Sequence, residues 1–208
     1  MNRFVAIEGC IGAGKTTVTK MLAESINAPI MLENFEDNPY LQNFYADPDK
    51  HAFPLELFFM AERYQQQKSL LEKINLFDEQ VFMDYAFVKS FIFANMTLKN
   101  EDEKQLFKML FSIINQNIRP PDLIIYLHKS TDLLLQNIAK RGRSYEQEIP
   151  AEYLDNLNHA YMDYFKTQTK SKVVIVDSEQ LDFIENKVDF EQIKQICGQS
   201  FEKSLNYV

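Results

Sequence analysis

The sequence predicts an α/β fold built on a parallel sheet with helices packed against it, and three observations carry that expectation. Short β-rich runs at residues 3–8, 29–33, 80–84, 122–128 and 172–177 alternate with longer helical patterns, the rhythm of strand, crossover and parallel strand. The longest apolar runs are strand-sized, too short to cross a bilayer as helices. Finally, 208 residues with 46% apolar and 25% charged side chains can bury one sizeable core, so a single globular domain over 1–208 is expected.

The first run ends on Glu8 and is followed by Gly9-Cys10-Ile11-Gly12-Ala13-Gly14-Lys15-Thr16, which satisfies GxxxxGK plus Thr in full. The match lies between a predicted strand and a predicted helix, the setting this motif requires. Glycines let successive backbone N–H groups turn inward around an anion, Lys15 adds a cation for the β- and γ-phosphates of a nucleotide, and Thr16 offers a hydroxyl to Mg2+. The second run ends on Glu33, and residues 53–74 then show apolar side chains at helical spacing, among them Met60, Tyr64 and Leu71. The third run ends on Asp84.

Pro120-Pro121 ends a helix after Arg119 and leads into the fourth run, LIIYLH. That run closes on His128 instead of an acid, so Asp84 is the candidate second ligand for the metal. Another helix closes at Gly142. The basic turn Lys140-Arg141-Gly142-Arg143, followed by Ser144-Tyr145-Glu146-Gln147-Glu148, fits a solvated hinge as well as a functional loop. The fifth run ends on Asp177. Ligands of open α/β sheets bind at the carboxyl ends of the strands, which makes Glu8, Glu33, Asp84 and Asp177 candidates, although an acid there is often only a cap or a solvated turn. Asn186-Lys187-Val188-Asp189 spells NKxD, the guanine-reading tetrad of GTPases, yet it opens the predicted last helix, with Asp189 as a cap, instead of following a strand.

A formal charge of −8 and a pI near 5.0 oppose the clustered basic face that polymeric nucleic acid would need. Cys10 and Cys197 lie far apart without a CxxC or Cys/His metal spacing, which predicts reduced thiols in a cytosolic protein, with Cys10 as a small loop residue. Neither a secretory leader nor a membrane span is expected, and there is no fixed-period repeat.

The blocks EGCIGAGKTT, ENFEDNPYLQNFY, FPLELFFMAERY, DYAFVKSFIFA, KRGRSYEQEI and DFIENKVDFE together resemble the deoxynucleoside kinases, and within them the small bacterial deoxyguanosine and deoxyadenosine kinases, over almost the whole chain. The resemblance implies a P-loop kinase fold with a five-stranded parallel sheet flanked by helices and a short lid at about residues 141–149. It also implies ATP as donor with Mg2+, a deoxynucleoside acceptor, a cytoplasmic location and a homodimer built through helices. The ATP loop would be Gly9, Cys10, Ile11, Gly12, Ala13, Gly14, Lys15, Thr16 and Thr17. Glu33 resembles the carboxylate that takes the proton of the sugar 5′-hydroxyl, a task a carboxylate within hydrogen-bond reach can perform because the phosphoryl transition state is loose. Tyr45 and Glu146 resemble the pair that grips the 3′-hydroxyl, Arg63 an arginine of the base pocket, and Arg141 and Arg143 the lid cations that compensate charge on the transferring group. Asp84 would bind magnesium, with Thr16, or share the base role with Glu33.

Two departures from the family pattern stand out. Asp84 is followed by Tyr85 and Ala86 where many members have Arg and Ser, with Lys89 further on, and Glu56 stands where much of the family has a base-reading glutamine. An ionised carboxylate only accepts hydrogen bonds, which suits the adjacent N1–H and N2–H2 donors of guanine better than the N1 acceptor of adenine. The expected activity is therefore 5′-phosphorylation of a purine deoxynucleoside, deoxyguanosine before deoxyadenosine. The alternatives are a nucleoside monophosphate kinase, which needs a more basic acceptor site, and a regulatory ATPase or GTPase switch without a small acceptor.

Overall fold

Two of the apolar runs, Phe4–Glu8 (β1) and Leu123–His128 (β4), are buried along almost their whole length, the pattern of strands covered on both faces. In the computed structural model, which describes residues 2–34, 38–73 and 80–208, they pair in parallel at the centre of a six-stranded sheet. The remaining strands are Ile30–Met31 (β2), Val81–Met83 (β3), Lys172–Asp177 (β5) and Leu205–Tyr207 (β6), in the order β2-β3-β1-β4-β5-β6. Register is set by pairs such as Val5 with Phe82 on one side and with Leu123 on the other. Strand order reverses direction at β1, so its carboxyl end is the crevice where such sheets receive ligands.

Contacts divide the chain into two compact units. The first comprises the described residues of 1–32, 74–86 and 120–208 and holds the whole sheet. Its helices are Lys15–Ser25 (α1), Thr131–Arg141 (α6), Ala151–Thr167 (α7) and Lys187–Gly198 (α8). The second comprises the described residues of 33–73 and 87–119 and is helical: Leu41–Ala46 (α2), Pro48–Lys73 (α3), Lys89–Thr97 (α4) and Glu101–Asn115 (α5). Its core is aromatic, with Phe44, Phe87, Phe107 and Phe111 buried and the Phe87 and Phe111 rings stacked at 5.3 Å.

Four expectations need adjustment. The sheet gains β6, three residues too short and too mixed in polarity to stand out in the sequence. The helix before Pro120 ends at Asn115, because the turn at 116–119 intervenes before the prolines. At the other end of that helix the Asn100 side chain accepts from the N–H groups of Asp102 and Glu103, and three acids fill the first turn. The helix expected at 53–74 starts earlier, at Pro48, and carries Pro54 inside; Ile74 lies outside the described residues, as do residues 35–37 of the ENFEDNPYLQNFY block. Asp189 is not a cap: Asn186 caps α8 by accepting from Val188 N–H at 3.0 Å, while Asp189 is buried and accepts from Asp182 N–H at 2.8 Å.

Candidate active site

In the first unit, β1 delivers the chain into the phosphate loop. Gly12 has φ +86°, and a Cβ there would meet the Leu134 carbonyl oxygen at 2.7 Å, so both conformation and space require glycine. Gly14, at φ +91°, opens α1 without a side-chain cap and without an acid in the first turn. The first N–H groups of α1 are thus left to an anion, with the helix dipole aligned toward it. Lys15 Nζ donates to the Cys10 carbonyl at 2.9 Å, and Thr16 Oγ1 donates to Asp84 Oδ2 at 2.7 Å.

The loop is tied from beneath. Asn137 on α6 donates to the Gly12 carbonyl at 2.9 Å. Asn158 on α7 accepts from Cys10 Sγ at 3.1 Å and from the Tyr126 hydroxyl at 2.7 Å, and donates to the Lys129 carbonyl. Cys10 is therefore a buried tie between loop and helix, more than the small loop residue expected. Burial, with Cys10 and Glu8 nearby, pushes the Tyr126 phenol well above its ordinary pKa.

The strand-end acids separate by environment. Glu8 is fully buried, accepting from Ala86 N–H at 2.7 Å and from the Tyr161 hydroxyl at 2.9 Å, which fixes the chain just beyond Asp84. Asp84 is buried and faces Thr16. A hydroxyl and one carboxylate suit Mg2+, which keeps waters and takes most of its remaining ligands from substrate phosphates. Asp177 is exposed and accepts from Glu179 N–H, an ordinary turn.

Also in the first unit, α6 closes on Gly142 at φ +75°, and a 3₁₀ turn, Ser144–Glu146, follows. Glu146 is buried and accepts from Arg141 Nη2 and, at 3.4 Å, from Arg143 Nη1. Residues assigned by resemblance to two tasks thus form one charged cluster.

The second unit holds the other candidates. Glu33 leaves the sheet two residues after β2 ends and accepts from three donors: Arg63 Nε at 2.9 Å and Nη2 at 2.6 Å on Oε1, and Lys89 Nζ at 2.5 Å on Oε2. Lys89 thereby supplies a cation to this carboxylate in a chain that lacks the family arginine after Asp84. Arg63 also donates to Ser90 Oγ at 2.7 Å and lies over the Phe59 ring. Burial alone would raise the Glu33 pKa, but Lys89 and Arg63 outweigh it and hold the carboxyl at about 2.

Glu56 contrasts with it. It is 2% exposed, its Oε1 accepts from Thr97 Oγ1 at 3.0 Å, and its Oε2 has no hydrogen-bond partner. Burial pushes its pKa up to about 7, against the charges of Arg63 and Lys89 and the Thr97 hydrogen bond, with Glu33 adding to the rise. Tyr45, on α2, is partly buried against the aromatic core, its ring edge-on to Phe44 at 5.5 Å.

Sequence reasoning missed Ser90, Thr97 and the structural role of Glu8. A signal existed for the first two: in KSFIFANMT, Ser90 and Thr97 fall two turns apart on an otherwise largely apolar helix, with Lys89 next to Ser90.

Comparison with known proteins bears on the chemistry directly. Residues 5–201 match the family described as deoxynucleoside kinase. A deoxyguanosine kinase of Bacillus subtilis is 37% identical over 194 residues, covering 91% of this chain and 93% of that protein. A deoxyadenosine kinase of Dictyostelium discoideum is 34% identical over 186 residues, covering 85% and 75% respectively. Among solved structures, the deoxyadenosine kinase of M. mycoides with bound dATP superposes with a TM-score of 0.78 at 26% identity, covering 94% of this chain and 98% of that one. A loop of GxxxxGKT spacing set between the first strand and helix of this sheet, and a match that runs through nearly every element, leave one conclusion: the chain belongs to the deoxynucleoside kinase family and is a phosphotransferase acting on deoxynucleosides.

Proposed function

We propose that the protein transfers the γ-phosphate of ATP to the 5′-hydroxyl of a purine deoxynucleoside, deoxyguanosine in preference to deoxyadenosine, giving the 5′-monophosphate. The observation that carries the purine reading is Glu56, a buried carboxylate with one oxygen unpartnered. Leaving such an atom unsatisfied costs about 1–3 kcal/mol or more for a charged group, a cost that a ligand presenting N–H donors removes. Guanine presents two such donors side by side.

Residues 1–208 then act as one kinase domain with a lid at about 141–149. Gly9 to Thr17 hold the ATP phosphates, Lys15 balances their charge, and Thr16 and Asp84 hold Mg2+. Bound there, the ion would neutralise charge on the phosphate oxygens. Glu33, ionised at neutral pH, accepts the proton of the 5′-hydroxyl as the bond to phosphorus forms. Arg141 and Arg143 compensate charge on the moving phosphoryl group, and Tyr45 and Glu146 contact the 3′-hydroxyl. Arg63 has three N–H groups engaged by Glu33 and Ser90, so it shapes the base pocket chiefly by fixing Glu33.

The protein is further proposed to work in the cytoplasm, where the free Cys10 and Cys197 stay reduced, and as a homodimer. Leu106, Met109 and Ile113 lie exposed at helical spacing on α5, a face suited to a second copy. No helix among the described residues is long and apolar enough to cross a membrane.

The test is one assay with ATP, Mg2+ and each of the four deoxynucleosides, with dGMP and dAMP as further acceptors, following ADP and the phosphorylated product. Deoxyguanosine should be the best acceptor and deoxyadenosine the second. Turnover only with dGMP or dAMP would indicate a monophosphate kinase, and phosphate release without any acceptor a switch.

A further inference from the structure

Guanine and adenine differ at ring nitrogen N1 by a single hydrogen: guanine carries N1–H, a donor, while adenine N1 is an acceptor. An oxygen facing N1 therefore discriminates between them only if its own state is fixed. A carboxylate oxygen accepts, and the same oxygen when protonated donates.

The two Glu56 oxygens are not equivalent. Oε1 lies 3.0 Å from the Thr97 hydroxyl, whose single hydrogen can go either to Oε1 or to the Phe93 carbonyl 2.9 Å away, one turn earlier on α4; negative charge on Glu56 draws it to Oε1. Oε2 is buried and unpartnered. With the Thr97 hydrogen on Oε1, Oε2 is the oxygen left open to take up a proton. We infer that Glu56 is a one-proton purine selector, in which Oε2 accepts from guanine N1–H when ionised and donates to adenine N1 when protonated, with Thr97 as the positioning residue that reserves Oε2 for this exchange. The inference rests on the purine kinase reading above and adds to it that neither purine is excluded: the protonation state decides between them.

The groups that face Glu56 set where the exchange falls. Burial disfavours the anion; Arg63 on the same helix, Thr97 and Lys89 on α4 favour it; Glu33 opposes it. The balance brings the carboxyl to about 7, inside the range a cell visits, whereas Glu33 stays ionised throughout that range. Rising pH populates the ionised form, so preference should move toward deoxyguanosine with rising pH and toward deoxyadenosine with falling pH.

The experiment is kcat/KM for deoxyguanosine and for deoxyadenosine, measured with the full chain, ATP and Mg2+ from pH 5.5 to 8.5, a range in which neither nucleoside titrates. Taking the ratio of the two cancels effects of pH on ATP binding and on the shared chemistry. The deoxyguanosine-to-deoxyadenosine ratio should climb through one transition, approaching tenfold per pH unit because the two protonation states interchange at that rate. Glu56→Gln should flatten the ratio at a value favouring deoxyadenosine. Thr97→Val, which removes a donor to the anion, should move the transition to higher pH by about one unit, the size of one hydrogen bond to a charged group, while Thr97→Ser keeps it in place. A flat wild-type ratio with both purines turned over would overturn the selector and leave the kinase reading standing. An unchanged slope in Glu56→Gln would assign the titration to another group and overturn it equally, and an unmoved transition in Thr97→Val would remove Thr97 from it. Turnover of neither purine at any pH would instead overturn the purine reading itself, and the selector with it.

Discussion

In the first unit the loop at 9–16 presents main-chain groups and one uncapped helix terminus, whereas in the second unit Glu33, Arg63 and Lys89 reach one another from a loop and two helices, across 30 and 56 residues of sequence. A backbone nest survives most side-chain changes and fails only where a glycine is filled. A cluster of buried charges fails when any member is removed, because the partners left behind are charged and dry; breaking such a pair costs about 3–5 kcal/mol. On the proposed assignments, chemistry and stability are thus separable in the first unit and entangled in the second.

Lys15→Ala should show the largest kinetic effect with the least structural one. Phosphoryl transfer should be abolished at an unchanged melting temperature, and near-normal turnover would take the loop out of the mechanism. Glu33→Gln should lower kcat by roughly 10²–10⁴ with a smaller change in KM. Unlike Lys15→Ala, it should also lower the melting temperature, since Arg63 and Lys89 lose their shared anion. If Asp84→Asn takes the kinetic loss and Glu33→Gln only the thermal one, the cluster is framework and Asp84 is the base.

The two buried carboxylates of the second unit should respond oppositely to pH. Glu33 titrates at about 2 when folded against 4.5 unfolded, so its stabilisation is complete above pH 4.5 and is lost as pH falls toward 2. Glu56 titrates at about 7 against 4.5, so folding carries no penalty from it below pH 4.5 and a growing one as pH rises to 7, on the order of 3 kcal/mol in full. Glu56→Gln should accordingly stabilise the protein at pH 8 and do little at pH 4.5, measured by denaturant midpoints; equal gains at both would show that Glu56 is not buried in charged form. The smallest effect is expected for Arg143→Ala, about tenfold in kcat, because this half-exposed cation shares Glu146 with Arg141. A change in KM alone would mean that it only binds ATP.

The same contrast governs what the sequence reveals. The loop is local, so spacing alone locates Gly9 to Thr16, and the central strands are legible because burial on both faces demands unbroken apolar runs. The Glu33 cluster has no local signature: that Lys89 bonds Glu33, that Arg63 turns to Ser90, and that Thr97 meets Glu56 follow from helix packing. Strand β6 was hidden because its pairing to β5 is made by backbone groups of three residues, and the placing of Asn186 as the cap in NKVD because Asn, like Asp, fits that position.

The sheet's rims have a consequence for how the molecule behaves in company. One rim is β2, two residues long, and the other is β6, three residues long, which covers β5, a strand of six with Val173, Val174, Ile175 and Val176 in succession. Bare, β5 would offer a row of open amides beside consecutive β-branched side chains, the composition that recruits strands from other copies into fibrils. With β6 in place the sheet ends on a stub that includes the polar Asn206, whose side chain folds back to the Val173 carbonyl. Residues 205–207 therefore cover the β5 edge as well as completing the sheet.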